Sequence, residues 1–194
     1  MLGLLLGALI EAVFMAACVA VGLALACRQP ASARRGRAAS WLARHRWLAV
    51  GCVGVAAGVL GMVISWTRPP LPAVDDEFSH LLAADTLARG QLASPTHPMW
   101  QHFESFHVVH QPRYVSKFPP GQGAVLAVGR LIGGRPLVGV WLSTALAAAA
   151  VCWMLQGWVP PRWALLGGVL VVFHVGIQRF WGQSYWGGNV ALAG

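Results

Sequence analysis

Long apolar runs alternate with short polar or proline-rich segments along this chain. Four of these runs, residues 1–27, 47–66, 137–156 and 164–181, hold almost no charged side chains. A helix needs about 20 apolar residues to cross a hydrocarbon core of about 30 Å, so each run is typical of a transmembrane helix. The pattern therefore predicts an all-α, polytopic membrane protein with about four transmembrane helices.

A shorter apolar run at residues 121–133 contains Arg130 and lies between a Pro-Pro pair and a Gly-Gly pair. As a helix it would extend only about 20 Å, too short to cross the bilayer. We expect it to lie in the interface on the outer side of the membrane, as one of the surface helices of an outer loop over residues 67–136. If this run crossed the membrane instead, the segment 182–194 would lie in the cytoplasm, so experiment can separate the two topologies.

Basic residues are concentrated in one loop. The chain is 57% hydrophobic and 10% charged, with a formal charge of +8, and six arginines lie in residues 28–46. A basic loop between two spans is the usual cytoplasmic signature, which favours contact with anionic membrane lipids and not with nucleic acid. If this basic loop is cytoplasmic, the succession of predicted spans puts residues 182–194 on the outer side, where we expect them to begin a second outer loop. A cleaved signal peptide is the competing interpretation of residues 1–27, but no positively charged segment precedes that run.

Acidic residues are gathered in the predicted outer loop. Five of the six in the chain lie there: Asp75, Asp76, Glu77, Asp85 and Glu104. Carboxylates beside a bilayer are costly unless water, metal or substrate solvates them, so such a cluster indicates a functional site. Leucines and alanines at helical spacing follow Asp76 as far as Gly90, which places Asp76 at a helix N-terminus. The alternative is that Asp75 and Asp76 only cap that helix.

The outer loop resembles that of the GT-C polytopic glycosyltransferases, a family that includes protein O-mannosyltransferases and the aminoarabinose transferase of lipid A. The resemblance covers about residues 66–194 and rests on an Asp-Glu pair after a span, a short surface helix that ends in Gly, and a Pro-Pro entry into a second surface helix. These features are Asp76-Glu77, Leu81 to Gly90, and Lys117-Phe118-Pro119-Pro120-Gly121. The strings Thr96 to Trp100, His102 to His107 and Ser184 to Gly188 are similar to those of uncharacterised bacterial members.

The resemblance implies transfer of a sugar from a polyprenyl-phosphate donor to an acceptor on the outer face of the bacterial inner membrane. It implies that Asp76 is the general base on the acceptor hydroxyl, with Asp75 the near alternative and Glu77 the third candidate catalytic residue. Lys117 and Arg179 are candidates for binding the donor phosphate, with an ordinary interfacial lysine and an arginine extended to the headgroups as alternatives. Tyr185, in the second outer loop, is a further candidate for substrate binding.

A divalent metal ion is a further possibility, because imidazole and carboxylate groups are suitable ligands. The candidate ligands are His102, Glu104 and His107. Their spacing matches no compact metal motif, and histidines in a polar loop are more often hydrogen-bonded or solvated. The alternative is therefore that these side chains hold no metal.

Two departures from the family pattern qualify the expected activity. The segment 182–194 contains no acidic residue, and the chain has fewer predicted spans than these enzymes. We therefore expect an N-terminal portion of a catalytic module that is inactive in isolation; a fragment, a truncated gene product and one half of a split enzyme all stay open. The alternative function is a non-catalytic membrane subunit that binds a lipid-linked sugar.

Overall fold

The computed structural model describes residue 41 and residues 44–194, which are mostly helical. The predicted span over residues 1–27 and most of the basic loop 28–46 lie outside this part. The helices are α1 (Arg46–Thr67), α2 (Asp75–Ala88), α3 (Pro120–Gly133), α4 (Pro136–Leu155), α5 (Pro161–Val172) and α6 (Gly188–Ala193), with a π-helix at Gly176–Trp181 and a 3₁₀ turn at Trp100–His102. A short antiparallel hairpin pairs β1 (Val108–Val109) with β2 (Val115–Ser116).

Within the described residues, α1 and α4 are the helices that are long and apolar enough to cross a membrane. They correspond to the predicted runs at 47–66 and 137–156. The predicted single span at 164–181 differs from the structure, because α5 ends at Val172 and the π-helix follows after a break. At that break His174 Nδ1 accepts a hydrogen bond from Ile177 N–H (3.3 Å), so a side chain replaces the carbonyl that a continuing α-helix would offer.

Small residues bring α1 and α4 into close contact. A Cβ added at Gly54 would lie 3.0 Å from the carbonyl oxygen of Ala145, and Ala57 and Ala148 are fully buried nearby. Large apolar side chains of the same two helices point outward, as at Val55 (65% exposed) and in this further set: Val59, Val63, Leu146, Trp153. A core of small residues with large hydrocarbon side chains outside is typical of helices that pack in lipid.

Helices α2 and α3 pack together at one end of this pair. The helix α3 starts with Pro at its first position and ends at Gly134, whose φ of 71° is the left-handed conformation that favours glycine. It covers the predicted run 121–133 and crosses α4 where Gly129 and Gly139 meet. Arg130 of α3 also pairs with Asp85 of α2. Helices α2 and α3 thus form a compact layer with polar side chains next to the ends of α1 and α4.

Gly129→Ala tests the α3–α4 crossing. An added Cβ would overlap the backbone of Gly139, so we expect a loss of about 1–3 kcal/mol in stability, seen as a lower melting temperature in detergent. The matched control is Gly51→Ala on α1, where nothing lies within 4 Å of the new Cβ. That change should raise stability by about 0.5–1 kcal/mol, because alanine favours the helix. Equal melting temperatures for the two variants would contradict the crossing.

Candidate functional site

The first turn of α2 carries three consecutive carboxylates. Asp75, Asp76 and Glu77 occupy it, where the helix dipole and free backbone N–H groups favour negative charge. The capping contact comes from Glu77, whose Oε2 accepts hydrogen bonds from the N–H groups of Ala73 (2.8 Å) and Val74 (3.4 Å). This is the reach-back arrangement of a glutamate at the third helical position. The sequence left Asp75 and Asp76 as candidates for capping this helix, but the side chain that makes the capping contact is that of Glu77.

The other oxygen of Glu77 reaches a distant segment of the chain. Its Oε1 accepts the backbone N–H of Tyr185 at 2.8 Å, and the residue is only 4% exposed. A buried carboxylate is costly unless hydrogen bonds compensate it, and here three backbone donors do so. Glu77 therefore ties the start of α2 to the 182–187 segment.

Asp76 meets the same segment and the hairpin with its two oxygens. Its Oδ1 lies 2.9 Å from His107 Nε2, and its Oδ2 accepts a 2.9 Å hydrogen bond from the indole N–H of Trp186. The Asp76 side chain is 25% exposed and that of His107 is 31% exposed. Three stretches that are far apart in sequence thus converge on one carboxylate that solvent still reaches.

The imidazole of His107 that contacts this carboxylate also belongs to an aromatic stack. The ring of Phe118 lies between the imidazoles of His80 and His107, with centroid distances of 4.7 and 5.2 Å. His80 is buried, and burial lowers the pKa of its imidazole, although the charges of Asp76 and Glu77 offset part of the effect. Burial thus favours the neutral form of His80, which stacks on Phe118. Sequence reasoning missed it, yet its position four residues after Asp76 on a helix places it on the same face.

Hydroxyl groups fasten the hairpin to α2. Ser79 Oγ donates to the carbonyl oxygen of His107 at 2.6 Å and lies 2.8 Å from Ser116 Oγ. The same carbonyl accepts the backbone N–H of Lys117 at 3.1 Å. These contacts fix the backbone of His107 and hence the approach of its ring to Asp76. Nothing in the sequence spacing pointed to Ser79 or Ser116.

Side-chain hydrogen bonds with helices α3 and α1 also hold the 182–187 segment in place. Gln122 on α3 donates through Nε2 to the carbonyl oxygen of Tyr185 (2.8 Å), and Gln183 donates to the carbonyl oxygen of Gly61 on α1 (3.1 Å). Burial raises the pKa of the Tyr185 phenol, and the negative charge of Glu77 raises it further. The phenol therefore stays protonated at neutral pH and keeps a proton to donate.

Three other predicted site residues take no part in these contacts with Asp76. Asp75 is exposed on the first turn of α2, and Lys117 and Arg179 are also exposed. Lys117 follows the hairpin directly, whereas Arg179 lies in the π-helix. In the part of the chain that the structure describes, no hydrogen bond or ion pair joins either cation to Asp76.

The predicted metal ligands are not assembled as a set. His107 contacts Asp76, while His102 and Glu104 are exposed. Between residues 44 and 194, no three His, Cys, Asp or Glu side chains form a group that could hold a metal ion. The divalent ion therefore stays a prediction from the sequence.

Comparison of the chain with protein-family models, with curated proteins and with solved structures finds no match. The chemistry of the site is therefore inferred from its own geometry and from the sequence resemblance.

Glu77→Gln tests the tie between α2 and the 182–187 segment. The amide keeps one acceptor oxygen but turns N–H donors toward backbone N–H groups, so we expect a loss of about 1–3 kcal/mol in stability. Amide hydrogen exchange should show faster exchange at Tyr185 and its neighbours. Glu104→Gln, at an exposed position, is the matched control and should change neither quantity. Unchanged exchange at Tyr185 in Glu77→Gln would rule out the tie.

Proposed function

We propose that this chain forms part of a membrane glycosyltransferase that transfers a sugar from a polyprenyl-phosphate donor to an acceptor on the outer face of the membrane. Asp76 is the general base in this proposal. The proposal rests on the sequence resemblance together with the convergence of His107 and Trp186 on the Asp76 carboxylate.

The convergence on Asp76 is the observation that carries the proposal. A general base must be aimed at the proton it accepts, and contacts at both oxygens fix the direction of this carboxylate. Each carboxylate oxygen has about two lone-pair directions, so one donor on each leaves room for an acceptor hydroxyl. Partial exposure gives such a hydroxyl access.

The position of the carboxylates relative to α1 suits a lipid-linked donor. Helix α1 ends at Thr67 and α2 begins at Asp75, so the connection extends at most about 25 Å. A base this close to the end of a membrane-length helix can meet a sugar phosphate whose polyprenyl chain stays in the bilayer. Lys117 beside the hairpin is the better placed cation for the leaving phosphate, because its backbone is bonded to His107.

The N-terminal end of α1, opposite the carboxylates, is basic and therefore supports a cytoplasmic location for that end. Arg46 at the start of α1 contacts the side chain of Gln156, just after the end of α4, and Gln156 Nε2 donates to the carbonyl oxygen of Arg46. The helix has 22 residues and is therefore about 33 Å long, close to the thickness of a bilayer core. Arg44, Arg46 and the carboxylates thus lie at opposite ends of one membrane-length helix. In the proposed orientation the arginines face the cytoplasm of a bacterial inner membrane.

One observation favours the alternative, a non-catalytic subunit that binds a lipid-linked sugar. All four carboxylate oxygens of Asp76 and Glu77 already have partners within the protein. A partner on every oxygen is also what a purely structural pair of carboxylates would show. Transfer and donor binding must therefore be measured separately.

Asp76→Asn separates the two functions. In membranes that carry the Asp76→Asn protein in place of the unsubstituted one, sugar transfer from a labelled polyprenyl-phosphate donor should fall by about 10²–10⁴-fold, because the amide cannot accept the proton. Donor binding should persist. Asp75→Asn, the exposed neighbour on the same turn, is the matched control and should retain transfer. Unchanged transfer in Asp76→Asn would reject the base role, and donor binding without any transfer by the unsubstituted protein would favour the subunit.

A further inference from the structure

The end of the helix bundle opposite the carboxylates carries arginines without acidic partners. Arg46 begins α1, Arg44 precedes it, and Arg162 lies in the first turn of α5; all three side chains are exposed. Among residues 44–194, all five carboxylate side chains belong to α2 and to the loop that follows it. The positive charge at this end therefore has no counter-charge within the described part of the chain.

Arg46 is held in a fixed orientation by a neutral partner. Its Nε donates to Gln156 Oε1 at 3.4 Å and its Nη2 donates to the carbonyl oxygen of Gln156 at 3.5 Å. In return, Gln156 Nε2 donates to the carbonyl oxygen of Arg46 at 3.1 Å. A guanidinium has five N–H donors, so about three of those of Arg46 stay available while its charge is not neutralised.

Helices α1 and α5 bring Arg46 and Arg162 to the same level of the bundle. A Cβ added at Gly168 of α5 would lie 3.0 Å from Cγ2 of Val53 on α1, so the two helices pack directly there. Both helices start at this end, and Arg162 and Arg46 precede these contact residues by about 9 and 10 Å along the helices. Arg46 and Val53 are seven residues apart and therefore share one face of α1. Since packed helix axes lie about 8–10 Å apart, the two long side chains can reach one phosphate group.

Exposed tryptophans surround these arginines. Trp47 follows Arg46 and is 75% exposed, and Trp158, in the turn between α4 and α5, is 83% exposed. The Arg162 guanidinium carbon lies 5.9 Å from the ring centroid of Trp163. Tryptophan is enriched where the hydrocarbon core of a bilayer meets the headgroups, which places the arginines at headgroup level.

We propose that Arg46 and Arg162 together bind the phosphate of an anionic glycerophospholipid of the phosphatidylglycerol type. The phosphate oxygens accept the free guanidinium N–H groups, and charge makes these hydrogen bonds strong. The acyl chains then extend along the apolar side chains that α1 and α4 turn outward. A zwitterionic headgroup would bring a cation that meets no carboxylate at this end of the described chain.

The site differs from a general attraction between the membrane and the basic loop 28–46. Such an attraction would need neither Arg162, which lies on another helix, nor the fixed orientation of Arg46. Lipid binding here goes beyond the proposed transferase function and does not depend on it. A chain without any transfer activity should bind the lipid equally well.

Lipid titration of the purified full chain tests the assignment. The protein is kept in an uncharged detergent, and native mass spectrometry measures bound dioleoyl-phosphatidylglycerol and dioleoyl-phosphatidylcholine, which differ only in the headgroup. We expect phosphatidylglycerol to bind about tenfold tighter. Arg46→Gln and Arg162→Gln should each weaken its binding by about fivefold, the contribution of one basic residue beside an anionic headgroup, without changing that of phosphatidylcholine.

Folding of the variants is checked by melting curves. Arg162→Gln is the safer of the two substitutions, because the exposed Arg162 side chain makes no hydrogen bond within the described residues. The matched control is the double variant Arg89→Gln and Arg113→Gln, which removes two exposed arginines at the carboxylate end. This control should bind phosphatidylglycerol as the unsubstituted protein does.

Three results would contradict the assignment. If the control loses as much binding as the Arg46→Gln and Arg162→Gln double variant, the lipid senses only net charge. If Arg34→Gln and Arg35→Gln abolish the preference while Arg162→Gln keeps it, the basic loop holds the lipid. If millimolar inorganic phosphate displaces phosphatidylglycerol, the arginines form a site for a soluble anion.

Discussion

The buried carboxylate of Glu77 is the interaction on which the arrangement of this structure depends. One oxygen closes the N-terminus of α2 and the other holds the backbone N–H of Tyr185, so local helix capping and a contact over more than 100 residues share one side chain. Its burial is tolerable only while all these donors stay in place. The neighbouring contact between Asp76 and Trp186 follows from the same alignment. The candidate site thus exists because a capping residue also serves as a long-range tie.

The pair of long helices and the polar layer beside them are each stabilised by a different kind of interaction. Helices α1 and α4 pack through glycine and alanine and turn their large side chains outward, which suits a hydrocarbon solvent. The polar layer depends on hydrogen bonds between side chains and backbone, from Ser79 to His107 and from Gln122 to Tyr185. Since these bonds cross between the loop segments, changes in one segment should reach the others. The carboxylates therefore sit on a rigid support at the edge of an apolar bundle.

The sequence predicted those parts of the fold that a local pattern determines. Apolar length marked α1 and α4, and Pro120 and Gly134 bounded α3, while Gly90, with a φ of 71°, follows two residues after the end of α2. The break after Val172 was missed because it depends on a side-chain contact of His174 within an apolar run. The two-residue strands were missed because they are too short to show alternation. For the site, the pattern predicted that the carboxylates and the 182–187 segment lie on the same side of the membrane. Only the structure identifies Tyr185, Trp186 and His107 as the partners of these carboxylates. Contacts through backbone N–H groups and an indole produce no periodic pattern in the sequence from which they could be predicted.

The central claim is tested most directly by the side of the membrane on which the outer-loop carboxylates and the segment after residue 182 lie. In a protein whose native cysteines are replaced, single cysteines at Glu104, at Ala191 and at Arg44, all exposed in the structure, are labelled in intact cells with a membrane-impermeant maleimide. The account predicts reaction from outside at positions 104 and 191, and reaction at position 44 only after the membrane is permeabilised. If positions 104 and 191 react from opposite sides, the contact between α2 and the 182–187 segment cannot form in the membrane. The site built on Glu77 would then be contradicted.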